Sequence, residues 1–376
     1  MALKVLFVAD KFKGSLSASE ACIAMAAGWN DARPADDALL LPMSDGGDGF
    51  GEVLGDLIGA RKMVAKTMNA AHLPTRTSWW WEAKSRTAII ESARTIGLSL
   101  LPPGKYHPSQ LDSAGLAKLF EVIAPKEPKR IVIGVGGSAT NDGGFGLLLT
   151  LGWRFLDKEG YEITRWTDLE KVERVEAPAN PIKLPEITVA VDVQNPLLGK
   201  DGATRVYGPQ KGLRPEDMAK AEACLAKLAD AAKRSLKKDY ASKPGAGAAG
   251  GLGYGLITFL NAKAVSGFQL FAENSNLEAR IKKADIVVTG EGSTDRSSLM
   301  GKGVGEVAKL AAKLKKPCVA ISGRVDDQKE LQKYFAALWG MVGNVGTLEA
   351  SLKRPRPLLR DLAAKAASEW GHLKTK

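Results

Sequence analysis

The sequence predicts an α/β protein of two domains. One is a parallel sheet covered by helices and split between the two ends of the chain, over 1–76 plus 284–376. The other is a mixed-strand α/β domain inserted over 77–283. Three observations predict this. The chain opens as strand, helix, strand, helix, the order of a parallel sheet with covering helices. The same order returns from Ala284. Between them come short strands split by turns, then a strand that runs into a glycine-rich turn and a helix over 130–149.

Residues 3–9 are apolar and suit a buried strand. Asp10-Lys11-Phe12-Lys13-Gly14-Ser15 follows as a loop, and Ser17 or Ser19 caps a helix running to about Trp29. A second strand ends in Leu39-Leu40-Leu41-Pro42. It delivers the acidic, glycine-rich loop Met43-Ser44-Asp45-Gly46-Gly47-Asp48-Gly49 before a helix over 52–58. Both loops lie at carboxyl ends of strands, where open parallel sheets hold their ligands. Strands are expected over 62–68, 77–82 and 87–91. Trp79, Trp80 and Trp81 sit in the second of these, where alternation along one strand favours ordinary packing over an interface. A helix over 112–123 leads into the central strand. After a mixed charged stretch, a strand over 187–191 ends in Asp192. Gly199 to Gly212, with Tyr207-Gly208-Pro209-Gln210-Lys211-Gly212, reads as a loop. Met218, Ala221, Leu225, Leu228, Ala232 and Leu236 recur every three or four residues, so 216–238 is an amphipathic helix. PGAGAAGGLGYG at 244–255 reads as a close-packed turn feeding a helix rather than as a flexible linker. Ile286-Val287-Val288 is a strand ending in Thr289-Gly290-Glu291-Gly292-Ser293-Thr294-Asp295. Gly301-Lys302-Gly303 opens a helix to about Leu314, strands follow over 317–321 and 335–342, and the basic tail from Leu348 is helical.

The formal net charge is +11 over 376 residues. Lys and Arg are spread along the chain with no aromatic-interleaved basic stripe, so attraction of a small anionic substrate is expected and a nucleic-acid partner is not. Cys22, Cys224 and Cys318 lie far apart without metal spacing, which predicts buried thiols rather than disulfides. No run of 18 apolar residues exists and the N-terminal apolar run is too short for a signal peptide. A cytoplasmic location with no membrane partner is expected.

The central stretch reads RIVIGVGGSATNDGGFGLLL. Its glycines permit close approach of backbone to a ligand, and N–H groups at such a turn favour an anion. Ser138, Thr140 and Asn141 add neutral donors, and Asp142 is a candidate metal ligand. No GK[ST] closes the loop, so it is not a Walker loop. Gly134, Gly136 and Ala139 satisfy a dinucleotide pattern, but Asn141-Asp142-Gly143-Gly144 is turn chemistry where that helix would already run. The alternatives at this point are a ligand-free turn, a dinucleotide turn and a phosphate or hydroxy-acid cradle.

Taken together, the loops resemble the type I glycerate kinase family. The carrying motifs are DKFKGSLSA from Asp10, PMSDGGDG from Pro42, GVGGSATNDGG from Gly134, VAVDVQNPLLG from Val189, YGPQKG from Tyr207, PGAGAAGGLG from Pro244 and TGEGSTD…GKG from Thr289. The resemblance covers about residues 3–325. It implies one Rossmann- or flavodoxin-like domain, a second α/β domain and an active site in the cleft between them. It also implies ATP-dependent phosphorylation of D-glycerate to 2-phosphoglycerate with Mg2+, 3-phosphoglycerate remaining open, and a homodimer as a candidate assembly. The family usually carries Ser at Lys11, Glu at Asp48, Arg at Ser293, Gln-Thr at Ser297-Ser298 and Pro at Val304, and its threonine-rich loop is replaced at 110–119. A dinucleotide-dependent oxidoreductase and a non-catalytic metabolite-binding relative are the alternative functions.

Phosphoryl transfer needs positioning and charge neutralisation. The expected phosphate-binding set is Gly136, Gly137, Ser138, Thr140, Asn141, Lys211, Glu291 and Lys302. Asp192 and Asp295 are the expected magnesium ligands, since that ion takes one or two carboxylates and keeps waters. Asp45 or Asp192 is the candidate base and Lys13 the catalytic cation. Asp10, Lys11, Lys13, Gly46, Gly47, Ser293 and Arg296 are the expected substrate contacts. No histidine lies in a glycine-rich loop, His107 being the nearest exception.

Overall fold

The computed structural model describes residues 2–373. The chain divides into two compact units, Met1–Asp45 with Phe268–Lys376, and Gly46–Gly267.

The first unit is built on a five-stranded parallel sheet in the spatial order Ala337–Gly340, Cys318–Ser322, Ile286–Gly290, Lys4–Ala9, Asp37–Leu40. Numbered along the chain this is 2-1-3-4-5, the flavodoxin-like order. The winding reverses between Lys4–Ala9 and Ile286–Gly290, whose last residues, Ala9 and Gly290, are register partners. Asp10 and Glu291 therefore leave the sheet side by side at the switch point, where such sheets bind ligands. Val5, Phe7, Ile286, Val288, Val319 and Ile321 form the core with Met25, Trp29, Leu362 and Trp370.

Ser17, not Ser19, caps the helix Ala18–Ala32, and Glu20 closes a reciprocal capping box. This helix packs on Pro355–Leu373, and Gly28 is the point of contact. A Cβ there would lie 1.9 Å from the carbonyl oxygen of Arg360. Gly28→Ala is expected to cost about 1–3 kcal/mol through overpacking, more than the ~1 kcal/mol that alanine gains in helix propensity. A lowered denaturant midpoint checks this.

The second unit carries a six-stranded mixed sheet in the order Lys263–Ser266, Glu186–Val191, Arg130–Gly134, Thr87–Glu91, Pro74–Glu82, Arg61–Met68. The first four strands run parallel and the last two join antiparallel. Arg61–Met68 pairs along its whole length with Pro74–Glu82, so the expected boundary after residue 76 falls inside this unit. The helix Phe50–Ile58 belongs here for a packing reason. Cβ atoms on Gly51 and Gly55 would lie 2.0 and 2.6 Å from the Trp80 ring. Trp79 and Trp80 are 1% and 2% exposed, as ordinary packing requires.

Three local expectations change. Residues 203–211, expected as loop, form the helix Ala203–Lys211 with Pro209 in its last turn. There the missing N–H of proline removes a single bond, and Gly212 in a left-handed conformation ends the helix. The helix expected over 112–123 starts as a 3-10 turn, Ala114–Leu116, and becomes α-helical at Ala117–Ile123. The charged stretch before Leu184 holds a small antiparallel pair, Arg154–Leu156 with Arg174–Glu176. Among the described residues no helix is long and apolar enough to cross a membrane.

Candidate active site

In the first unit three carboxyl groups gather at the switch point. Leu41 and Met43 extend the edge strand beside Phe7 and Ala9 through backbone bonds of 2.8 and 2.9 Å, which carries Asp45 toward Asp10. Asp10 is 9% and Asp45 8% exposed. Burial, then the negative charge of Asp45, pushes the Asp10 carboxyl well above its ordinary range, although the Lys11 N–H donates to its Oδ1 at 2.7 Å. Burial also pushes Glu291 up, opposed by Ser298 Oγ, which donates to Oε1 at 2.6 Å.

Asp295 behaves oppositely. Burial works against its charge, but hydrogen bonds from Ser297 and the Lys302 ammonium hold its carboxyl below the ordinary range. Its Oδ1 accepts from the Ser297 N–H at 2.7 Å, and Lys302 Nζ donates to Ser297 Oγ at 2.8 Å. Lys13 is exposed on a turn anchored by buried Phe12, whose N–H donates to the Leu16 carbonyl at 2.8 Å. A Cβ on Gly292 would lie 3.3 Å from the Lys13 nitrogen, so this turn lies against the Glu291 loop. Lys11 is half-buried. Ser293 and Arg296 are exposed, the former in a two-residue strand paired with Arg324–Val325.

Among the described residues no group of three or more His, Cys, Asp or Glu side chains is placed to hold a metal ion. Magnesium does not require one. The donors present are hard carboxylate oxygens, and the mutual repulsion of Asp10, Asp45 and Glu291 is of the kind a cation relieves. The expected ligands Asp192 and Asp295 offer the same hard oxygens, a residue type that fits the ion. Of the expected ligand pair, Asp295 lies in the first unit and Asp192 in the second.

In the second unit two glycine loops lie against each other at the ends of parallel strands. The Gly136 N–H donates to the Gly46 carbonyl at 3.2 Å. A Cβ on Gly136 would lie 2.6 Å from Gly47 Cα, and one on Gly137 2.3 Å from Asp48 Oδ1. No residue with a side chain fits that approach. Asp192 is half-buried after the strand Glu186–Val191. Burial, then the Asp192 charge, pushes the Tyr207 hydroxyl up to about 12.

Within 134–144, Gly137 is exposed and Gly136 partly so, while the rest is buried. Of the residues expected to grip phosphate, Ser138, Thr140, Asn141 and Lys211 are all buried. Lys211 Nζ donates to the Thr140 carbonyl at 2.6 Å and to Ser138 Oγ at 3.2 Å, and Asn141 Nδ2 donates to Thr204 Oγ1 at 3.1 Å. Lys211, Ser138 and Asn141 Nδ2 thus bond within the fold, while Thr140 Oγ1 and Asn141 Oδ1 are buried without a hydrogen-bond partner among the described residues. Asp142 is likewise no metal ligand. Fully buried, it accepts from Ser113 N–H and Oγ and from the N–H groups of Gly144 and Gly146. The following helix begins only at Phe145, so the turn lacks the immediate helix start that a dinucleotide site uses.

Burial drives Lys211 down to about 7 from its ordinary 10.5. Between these values the unfolded chain binds the proton and the folded chain does not. The group therefore destabilises the fold fully below pH 7, and that penalty fades as pH rises toward 10.5. Stability measured by denaturant at pH 6 to 10 is expected to rise across this window, and Lys211→Met to flatten the rise.

Sequence reasoning missed Glu91. Buried, it accepts from the N–H groups of Gly49 and Gly51 at 3.0 Å each. The available signal was a lone acid closing the apolar strand Thr87–Glu91. His107 is a loop tie: its Nδ1 lies 2.8 Å from Ser109 Oγ and its Nε2 3.0 Å from Asp217 Oδ2.

A sequence model of the glycerate kinase family matches residues 5–371. The glycerate kinase of Bacillus subtilis (strain 168) is 34% identical over 372 residues, covering 96% of this chain and 97% of that one. The glycerate 2-kinase of Escherichia coli (strain K12) is 34% identical over 356 residues, 93% of each chain. A crystal structure assigned to glycerate kinase 2 of Salmonella typhimurium LT2 superposes with a TM-score of 0.80 at 32% identity, covering 100% of both chains.

Proposed function

Since the chain belongs to the glycerate kinase family, we propose that it transfers the γ-phosphoryl group of ATP to the 2-hydroxyl of D-glycerate, with Mg2+ as the accompanying ion. The observation that best supports this reading is that each unit carries its own kind of strand-end loop. One gathers the buried carboxyl groups of Asp10 and Asp45 with the half-buried carboxyl of Glu291. The other presents bare glycine backbone at Gly136 and Gly137.

Each loop suits one half of the reaction. Asp45 takes the proton of the acceptor hydroxyl as general base. Lys13 and Lys11, on the anchored turn, pair with the substrate carboxylate, with Asp10, Gly46, Gly47, Ser293 and Arg296 around it. A charge-assisted bond of that kind is worth roughly 1.5–3 kcal/mol. The exposed backbone of Gly137 faces the phosphates, with Gly136 as the close-approach point beside it, and Lys302 at the start of the helix Gly303–Lys313 adds a positive charge where the helix dipole also favours anions. Asp192 and Asp295 would hold Mg2+, which when bound neutralises phosphate charge.

The test is ADP release coupled to a spectrophotometric readout, with D-glycerate and Mg-ATP, followed by 31P NMR of the product. Release together with a 2-phosphate signal is the expected result. A 3-phosphate signal overturns the regiochemistry. No release with any short hydroxy acid overturns the reading.

A further inference from the structure

We propose that Glu91 is a positioning residue that sets the spacing of the two glycine loops in the second unit. The inference rests on reading those loops as the phosphate-facing part of the kinase site.

Glu91 ends a strand whose five residues are all buried, and its side chain is 4% exposed. Both carboxylate oxygens are used: Oε1 accepts from Gly49 N–H and Oε2 from Gly51 N–H, each at 3.0 Å. Arg94 Nε lies 3.3 Å from Oε1, and its guanidinium sits 5.8 Å from the centre of the Trp80 ring.

The carboxylate supplies a helix cap from another part of the chain. Phe50–Ile58 has Gly49 at its N-cap position, with φ +87 and no side chain to cap with. A local Ser or Asp is the ordinary solution. Here the acceptor comes from 42 residues away, and burying a carboxylate costs more than a local cap unless it does something else.

What it does is join two loops. Glu91 is the register partner of Gly134, and the next N–H, that of Ser92, donates to the Gly134 carbonyl at 2.9 Å. The same strand end thus holds the root of the Gly136–Gly137 loop through its backbone and the far end of the Gly46–Gly49 loop through its side chain. The near end of the latter is held by the Gly136 N–H on the Gly46 carbonyl. Gly46 at φ +116 and Gly49 at φ +87 leave this segment little stiffness of its own. The two clamps hold it over Gly136 from both ends.

Glu91→Gln keeps the size but leaves one acceptor oxygen, and Glu91→Ala removes both. The full chain of each variant is compared with the wild type by amide hydrogen exchange and by steady-state kinetics. Faster exchange is expected at 46–51 and also at 136–137, with the strand Arg130–Gly134 still protected. Turnover is expected to fall about 10²-fold, the effect that a misplacement of about 1 Å carries, while KM for D-glycerate moves far less. The glutamine variant should lie between alanine and wild type in both readouts. Unchanged exchange at 136–137 and unchanged kcat, with only a lower melting temperature, would show a simple helix cap and overturn the proposal. The exchange arm reads loop coupling whether or not the wild type turns over ATP, so failure of the kinase reading is seen separately, in the wild-type assay.

Discussion

Asp45→Asn is expected to lower kcat for glycerate phosphorylation by about 10²- to 10⁴-fold, the contribution of a positioned general base, without lowering the melting temperature. The two halves of this result have one origin. Asp45 is 8% exposed, and its charge helps push the carboxyls of Asp10 and Glu291 upward. An isosteric amide removes the proposed base and also removes that repulsion, so the fold is expected to keep or gain stability while turnover falls. Asp10 should then ionise at lower pH. Paired measurements of kcat and thermal unfolding read both signs. A rate within a factor of two of wild type would exclude Asp45 as the base, and a large loss of stability would make it a structural carboxylate.

Gly250→Val is expected to lower the melting temperature of the second unit by about 4–20 °C, or to unfold it outright. Gly250 has φ +68, between Ala249 at φ +55 and Gly251 at φ +86. A Cβ there would lie 2.0 Å from the carbonyl oxygen of Thr140. Left-handed backbone costs a side chain about 1–2 kcal/mol, and overpacking typically adds about 1–3 kcal/mol. β-Branching stiffens the misfit. For a unit of this size each 1 kcal/mol shifts the midpoint by roughly 2–4 °C, and total stability is only about 5–15 kcal/mol. Calorimetry on the intact chain measures the shift. A midpoint within about 2 °C of wild type, below the effect of roughly 1 kcal/mol, would mean that the close contact between the 249–251 turn and the 140–144 loop relaxes at no cost.

That contact shows why the glycine runs are legible and their partners are not. PGAGAAGGLGYG announces close approach because no other composition tolerates it, and the segment is indeed a close-packed turn feeding the helix Ala248–Phe259. Nothing in the run says that Thr140, Asn141 and Gly143 are what it approaches. The same holds for Ser138, Thr140 and Asn141. The Ser138 hydroxyl and the Asn141 amide read as ligand groups until Lys211 and Thr204 arrive from 73 and 63 residues away to bond with them, and burial alone removes the Thr140 hydroxyl from the surface. Asp142 reads as a metal ligand until Ser113 and the next helix start claim its oxygens.

By itself the sequence determined the strand–helix alternation, the glycine turns at the strand ends and the family, because hydrophobic period, a capping serine at 17 or 19, and backbone freedom at glycine are local properties. Only the tertiary structure decided which polar groups are spent on the fold and which remain at the surface. It also decided that Glu91 clamps a loop, and that Arg61–Met68 belongs to the second sheet. A buried hydrogen bond is settled by whatever the rest of the chain brings within 3 Å, and no period in the sequence encodes a partner 42 residues away.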